Sequence, residues 1–145
     1  AIQVRINAED PKNNFMPEGG KTVEVYHSPG GPGIRLDGLV YQGYKIPTEY
    51  DSLMVKLTCR GYDWNETIDR LKRALLGFNI VGPKTTIPFY MAICDEPDFR
   101  AGRFDTGYIE THPDIFGYPE TEREVAKLAK LIAEIHVKKI NPYAY

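Results

Sequence analysis

The 145-residue sequence predicts an α+β domain, a largely antiparallel β-sheet flanked by a few α-helices. Three observations carry that prediction. Apolar and polar residues alternate at period two in several short runs up to Cys59. From Trp64 the apolar spacing lengthens to three and four, the period of a helix buried along one face. Strands therefore come early and helices late, an order that suits segregated α+β architecture rather than repeated βαβ units.

The first run is "AIQVRIN". Ile2, Val4 and Ile6 share one face and predict a half-buried strand, with Gln3, Arg5 and Asn7 on the other face. "NAEDPKNNFMPEGG" then clusters Asn, Asp, Pro and Gly, the residues of turns. Alternation returns in "KTVEVYH" and predicts a second strand over 21–27, which "SPGGPG" breaks. "IRLDGLVYQGYKIP" reads as short strands around glycines, with Tyr41 and Tyr44 as packing candidates. "DSLMVKLTCRG" is nearly continuous in apolar residues over Leu53–Cys59 and predicts a central strand.

The helical half opens at Asp63, followed three residues later by Glu66 in the manner of a capping box. Trp64, Ile68, Leu71 and Leu75 form the apolar stripe, and Gly77 ends it. "FNIVG" predicts another short strand. "GPKTTIPFYMAI" predicts a short helix, with Thr85 or Thr86 as cap and Pro88 in the first turn, where its missing N–H costs little. "DEPDFRAGRFDTGYIE" reads as irregular structure or short helical turns, with Asp95 to Asp98 as turn and capping residues. In "PETEREVAKLAKLIAEIHVKK", Val125, Leu128, Leu131, Ile132 and Ile135 share one face. Glutamates crowd its start and lysines its end, which complements the helix dipole. Both charge signs on its polar face suit a docking helix rather than a membrane-surface one.

Composition narrows the function classes. A content of 42% hydrophobic and 26% charged residues is ordinary for a globular chain, and the net charge of −2 lacks the basic footprint of nucleic-acid binders. No apolar run reaches the ~18 residues of a membrane span, and no signal-peptide pattern appears. Cys59 and Cys94 sit in apolar contexts without metal-ligand spacing and read as buried free thiols of a reducing compartment. The expectation is a soluble cytoplasmic domain without nucleic-acid or membrane partners. Because Ala1 already lies in a strand pattern, the sequence also reads as a piece of a longer polypeptide.

Chemistry-bearing motifs are sparse. In "SPGGPG", Pro29 and Pro32 remove the N–H donors that a phosphate cradle needs, and a strand rather than a helix follows, so a rigid turn is expected. His27, His112 and His136 are scattered, and no metal site is expected. No serine lies in a nucleophile elbow, and Cys59 lacks an electropositive neighbourhood. Arg5 remains, on a strand's polar face before a compact acidic turn, where solvation or a salt bridge is its ordinary role. The absence of a self-sufficient active site fits a fragment that supplies one or two groups to a site built elsewhere.

Four stretches, "VRINAEDP", "EVYHSPGGPGIRLDG", "YKIPTEYDSLMVKL" and "GPKTTIPF", occur in an order and spacing that resemble the C-terminal domain of biotin carboxylase across roughly the first 110 residues. That component is shared by acetyl-CoA, propionyl-CoA and pyruvate carboxylases. The resemblance implies a domain over 1–112 and a family-variable linker with an amphipathic helix over 113–145. It implies an ATP-grasp ligase in which upstream domains bind MgATP and activate bicarbonate, and in which biotin on a carrier protein is carboxylated. Arg5 then matches the family's biotin-contacting arginine, and Asp51, in "YDS", a carboxylate at the same end of the site, although capping a strand would also explain it. Pro32, where other members carry an aromatic, and Arg35 match part of a dimer surface. Partners implied are the upstream ATP-grasp domains, the biotin carboxyl carrier protein, a carboxyltransferase component and a second copy in a homodimer; the isolated fragment is expected to be inactive. Two other readings are a non-catalytic dimerisation or docking module and the homologous terminal domain of another ATP-grasp ligase, such as a carboxylating enzyme of purine biosynthesis.

Overall fold

Val4 and Ile6 are buried and their neighbours Gln3 and Arg5 exposed, so Ile2–Asn7 (β1) forms the half-buried strand that its alternation predicts. The computed structural model describes residues 1–118. Leu53–Cys59 (β6) lies in the middle of a three-stranded antiparallel sheet, with β1 on one side and Ile34–Gly38 (β5) on the other. Its apolar run has the expected cause, since Met54, Val55, Leu57 and Cys59 are all buried. Register pairs Val4 with Leu57 and Arg5 with Lys56, then shifts: Ile6 faces Val55 but Asn7 faces Leu53. Met54 is thus an extra residue on β6, a bulge of the kind that bends a strand and re-aims its side chains.

The acidic turn after β1 is a small structure of its own. Glu9–Asp10 (β2) pairs with Met16–Pro17 (β3), and Asp10 caps the 3-10 turn Pro11–Asn13 by accepting from the Lys12 N–H at 3.2 Å. The 21–27 run is not one strand. Val23 donates to the Tyr44 carbonyl and Thr22 bridges Lys45, whereas Val25–His27 (β4) pairs with Asn79–Val81 (β7). The alternation is real but is shared between two pairing partners. The change of partner brings Thr22 against Gly82, where φ is +123° and an added Cβ would lie 2.1 Å from the Thr22 carbonyl oxygen. Of the short strands expected over 34–47, only β5 forms among the described residues. Tyr44 packs against the core, but Tyr41 is largely exposed and meets Tyr44 edge-on.

Trp64–Leu76 (α1) begins as its sequence predicts. Asp63 Oδ1 accepts from the Glu66 N–H at 2.8 Å, and Glu66 reaches back to the Tyr62 N–H at 2.6 Å. Ile68, Leu71 and Leu75 are buried with Thr67 and Ala74, and Trp64 packs at the rim, its indole N–H donating to the Phe99 carbonyl. Arg70 bonds Glu66 one turn back and donates to the Pro32 carbonyl at 3.1 Å, pinning the Ser28–Gly33 turn to the helix. Ile87–Asp95 (α2), Pro97–Arg100 (α3) and Tyr108–Thr111 (α4) follow as short helices. Phe89, Tyr108 and Ile115 form a second, aromatic cluster with Phe15 and Phe116, so packing continues into the 3-10 turn Pro113–Gly117. The amphipathic helix expected in 119–139 lies outside the described residues.

Leu57 has no exposed surface and sits between Val4 and Leu36 in the register, so truncating it removes buried contacts and opens a cavity in the core. Leu57→Ala should lower stability by about 2–5 kcal/mol. Urea titration checks this as a drop in midpoint at unchanged slope.

Candidate functional site

Arg5 projects from the outer face of the sheet, and two stretches distant in sequence meet it. From the stretch before β6, Asp51 Oδ2 accepts from Arg5 Nη2 at 2.7 Å, while Asp51 Oδ1 accepts from the Leu53 N–H at 3.0 Å. Asp51 therefore caps the start of β6, the ordinary role that its sequence allows, and the same carboxylate also pairs with the arginine. Both side chains keep about half their surface, 50% for Arg5 and 59% for Asp51. Nε and Nη1 of Arg5 have no partner among the described residues.

The strand beneath Arg5 is bonded on its outer edge as well. The Thr86 hydroxyl donates to the Arg5 carbonyl at 3.1 Å and accepts from the Asn7 N–H at 3.1 Å. Tyr90, one turn further along α2, donates its hydroxyl to the same Arg5 carbonyl at 3.1 Å. The Thr86 N–H completes the contact by donating to the Asn7 carbonyl at 3.2 Å. Burial pushes the Tyr90 hydroxyl above the ordinary phenol range, which keeps it a donor. Thr86 occupies the cap position of α2 but makes no side-chain capping bond there. Its hydroxyl closes the β1 edge instead, a correction to the role expected from "TTIP". No local signal reveals this pairing, because Thr86 and Arg5 are 81 residues apart.

The acidic turn is tied to the same place. Ser52 and Asn7 both donate to Glu9 Oε1, and Lys84 donates to Asp10 at 2.6 Å and, through its N–H, to Glu18 at 3.1 Å. The lysine hydrogen bond holds the Asp10 carboxyl below its usual range. The Asn7 side-chain oxygen is buried without a partner among the described residues. Lys56 lies directly across the ladder from Arg5, so two cations share one face, an arrangement that opposes folding unless flanking charge offsets it. A cleft of about 260 Å³ opens beside Lys56, lined by Asp37, Leu39, Val40, Tyr44 and Met54 among others.

Pro32 and Arg35 are not brought to Arg5. They lie at the other edge of the sheet, where the Arg35 guanidinium grips Asp37 of its own strand through Nε and Nη2. In the Ser28–Gly33 turn, Gly33 has φ +76°, and an added Cβ would lie 1.8 Å from Arg70 Nη1 and 2.6 Å from the Arg60 carbonyl oxygen, so no other residue fits there without strain. Both cysteines are free and buried; burial raises each thiol, that of Cys94 to about 12, so neither is a thiolate at neutral pH.

One grouping escaped the sequence reading, which saw the histidines only as scattered. Glu96, Asp98 and His112 bring one ligand-type atom each within 4.8 Å of one another. The groups already have protein partners: Asp98 takes Arg103, Glu96 accepts from the Tyr108 hydroxyl, and His112 bonds the Tyr108 carbonyl at 2.9 Å and Asp98 at 3.3 Å. They bracket α3 to α4. The Tyr108 carbonyl, and then Asp98, raise the His112 pKa, and Arg103 and His112 lower that of Asp98.

The family described as the biotin carboxylase C-terminal domain matches residues 3–111, and the chain belongs to it. It is 45% identical to the 2-oxoglutarate carboxylase small subunit of Hydrogenobacter thermophilus over 94% of this chain and 29% of that one. It is 45% identical to biotin carboxylase 1 of Bacillus subtilis over 81% of this chain and 26% of the relative. The crystal structure of the H. thermophilus 2-oxoglutarate carboxylase biotin carboxylase domain dimer, in complex with MgADP, ADP and bicarbonate, superposes with a TM-score of 0.78. There the identity is 46% over 81% of this chain and 26% of that chain. The chain thus spans between a quarter and a third of the length of these relatives.

His112 supplies a pH test of the α3–α4 bracket. Its folded pKa is raised, so its contribution to stability is complete below about pH 6.5 and is lost as pH rises through the folded value. NMR titration should place the His112 pKa above 6.5, and Asp98→Asn should move it down. An unmoved value in that variant removes the ion pair from the account.

Proposed function

We propose that this chain forms the C-terminal part of a biotin carboxylase, the ATP- and bicarbonate-dependent ligase that carboxylates biotin on a carrier protein, and that Arg5 is its contribution to the reaction. Family membership and the carboxylase relatives support the reaction class. One observation supports the residue: a half-exposed guanidinium stands on a strand bonded along both edges, with Nε and Nη1 turned to no partner among the described residues.

When bound, biotin supplies a ureido group whose ring nitrogen takes the carboxyl group and whose oxygen gains negative charge as that nitrogen loses its proton. Arg5 suits that oxygen because its charge is permanent and its N–H groups form a rigid planar fork. Asp51 orients the fork through Nη2 and leaves the remaining donors available. The pair is exposed, so it contributes only about 0–1 kcal/mol and steers the arginine without locking it. Lys56, across the ladder, adds positive potential on the same face.

MgATP and bicarbonate belong, in this proposal, to upstream ATP-grasp domains of the same polypeptide. The glycine-rich turn does not fit a phosphate, since Pro29 and Pro32 have no N–H and the chain enters β5 rather than a helix. Pro32 and Arg35 form the proposed dimer surface; Arg35 keeps 76% of its side-chain surface exposed. The carrier protein, a carboxyltransferase component and a cytoplasmic setting complete the proposal. No helix among the described residues is long and apolar enough to cross a membrane.

In the intact enzyme, Arg5→Ala should reduce kcat for biotin carboxylation by on the order of 10²-fold or more, with bicarbonate-dependent ATP hydrolysis falling far less. Arg5→Lys should not restore it, because a point charge lacks the fork. Equal loss of both activities, or loss of neither, removes Arg5 from the reaction.

A further inference from the structure

We infer that Thr86 and Tyr90 are positioning residues that set the aim of Arg5 by holding its backbone carbonyl from the outer edge of β1. The inference rests on the assignment of Arg5 made above. Two hydroxyls from successive turns of one helix converge on a single carbonyl oxygen, each at 3.1 Å. Thr86 also accepts from the Asn7 N–H, so one side chain spans both ends of the Arg5–Asn7 segment.

The place of this clamp matters. Among the described residues β1 pairs with β6 alone, as an edge strand, and the β1–β6 register shifts between Ile6 and Asn7. A ladder broken by a bulge holds its strand less firmly there. Arg5 lies next to Ile6, after which the ladder breaks, and without bonds on its other edge its Cα–Cβ direction would be set by one side alone. Thr86 is 3% exposed, and its hydroxyl serves β1 rather than its own helix, although it stands where a threonine normally caps. The rim of the clamp is Tyr90, whose hydroxyl remains partly open beside Arg5. Small misplacements of a charged group from a developing negative charge are costly to rate, so a fixed carbonyl, which sets the Cα–Cβ direction, narrows where the guanidinium steered by Asp51 can lie.

The test is a double-mutant cycle in the intact biotin carboxylase, with biotin carboxylation and bicarbonate-dependent ATP hydrolysis measured side by side. Tyr90→Phe should lower kcat for carboxylation by about 3–10-fold, and Thr86→Val by about 10-fold or more. Thr86→Ser, which keeps the hydroxyl, should stay near the parent. The ratio of carboxylation to ATP hydrolysis should fall in both deleterious variants. In an Arg5→Ala background, Tyr90→Phe should change carboxylation by less than about twofold, because the group it positions is gone. Should Thr86→Val fail to fold, Tyr90→Phe decides alone. Equal losses with and without Arg5, or parallel losses of both activities, would show a general structural role and overturn the inference. So would an inert Tyr90→Phe beside a damaging Arg5→Ala, and that result leaves the Arg5 assignment standing. An inert Arg5→Ala overturns the assignment itself.

Discussion

The register of Ile2–Asn7 against Leu53–Cys59 is the constraint on which everything else in this domain depends. Side chains alternate across a strand, so a slip by one residue would turn Arg5 into the core and expose Val4 and Ile6. Burying an unpaired guanidinium costs several kcal/mol, and exposing two core side chains adds roughly 1.5–3 kcal/mol each. One register is therefore far below its neighbours in free energy. The same register places Asp51, just before β6, beside Arg5, and brings Ser52 to Glu9.

A strand paired on one side only leaves carbonyl and N–H groups open along the other. Here the N-terminal turn of α2 covers them. Thr86 and Tyr90 satisfy the Arg5 carbonyl, Thr86 takes the Asn7 N–H, and the Thr86 N–H takes the Asn7 carbonyl. Lys84, just before them, reaches Asp10 and Glu18 in the acidic turn. Edge protection and the bracing of Arg5 are thus one set of contacts. The hydrogen bonds do double service because the exposed edge and the side chain proposed to act on biotin belong to the same residue.

Stability and the orientation of charged side chains draw on different interactions. The core is carried by α1 packed on the sheet, with a second aromatic cluster under α2 to α4. The charged groups are mostly half-exposed pairs, and pairs of that kind add little to stability. Their value lies in orientation: Asp51 for Arg5, Arg70 for the Ser28–Gly33 turn, Asp98 for His112.

Local pattern was enough wherever a residue's role follows from its immediate neighbours. Ile2, Val4 and Ile6 announced β1; the apolar run to Cys59 announced the central strand; Asp63, Glu66 and the Ile68–Leu71–Leu75 stripe announced α1 and its start. Resemblance of four short stretches to a carboxylase domain singled out Arg5 and Asp51. Pattern failed where one segment serves two partners, as when 21–27 divides between the Tyr44 loop and β7, or where a side chain acts far from its neighbours, as with Thr86.

By itself, then, the order of residues determined the α+β class, the central strand, the first helix and the family, because periodicity and capping are short-range and short motifs survive in one dimension. Only the tertiary structure decided that Thr86 and Tyr90 hold the strand under Arg5, that Asp51 both caps and pairs, and that His112 meets Asp98. Those are bonds between groups brought together by chain folding, and hydrogen bonding acts over about 3 Å of space, whatever the separation along the chain.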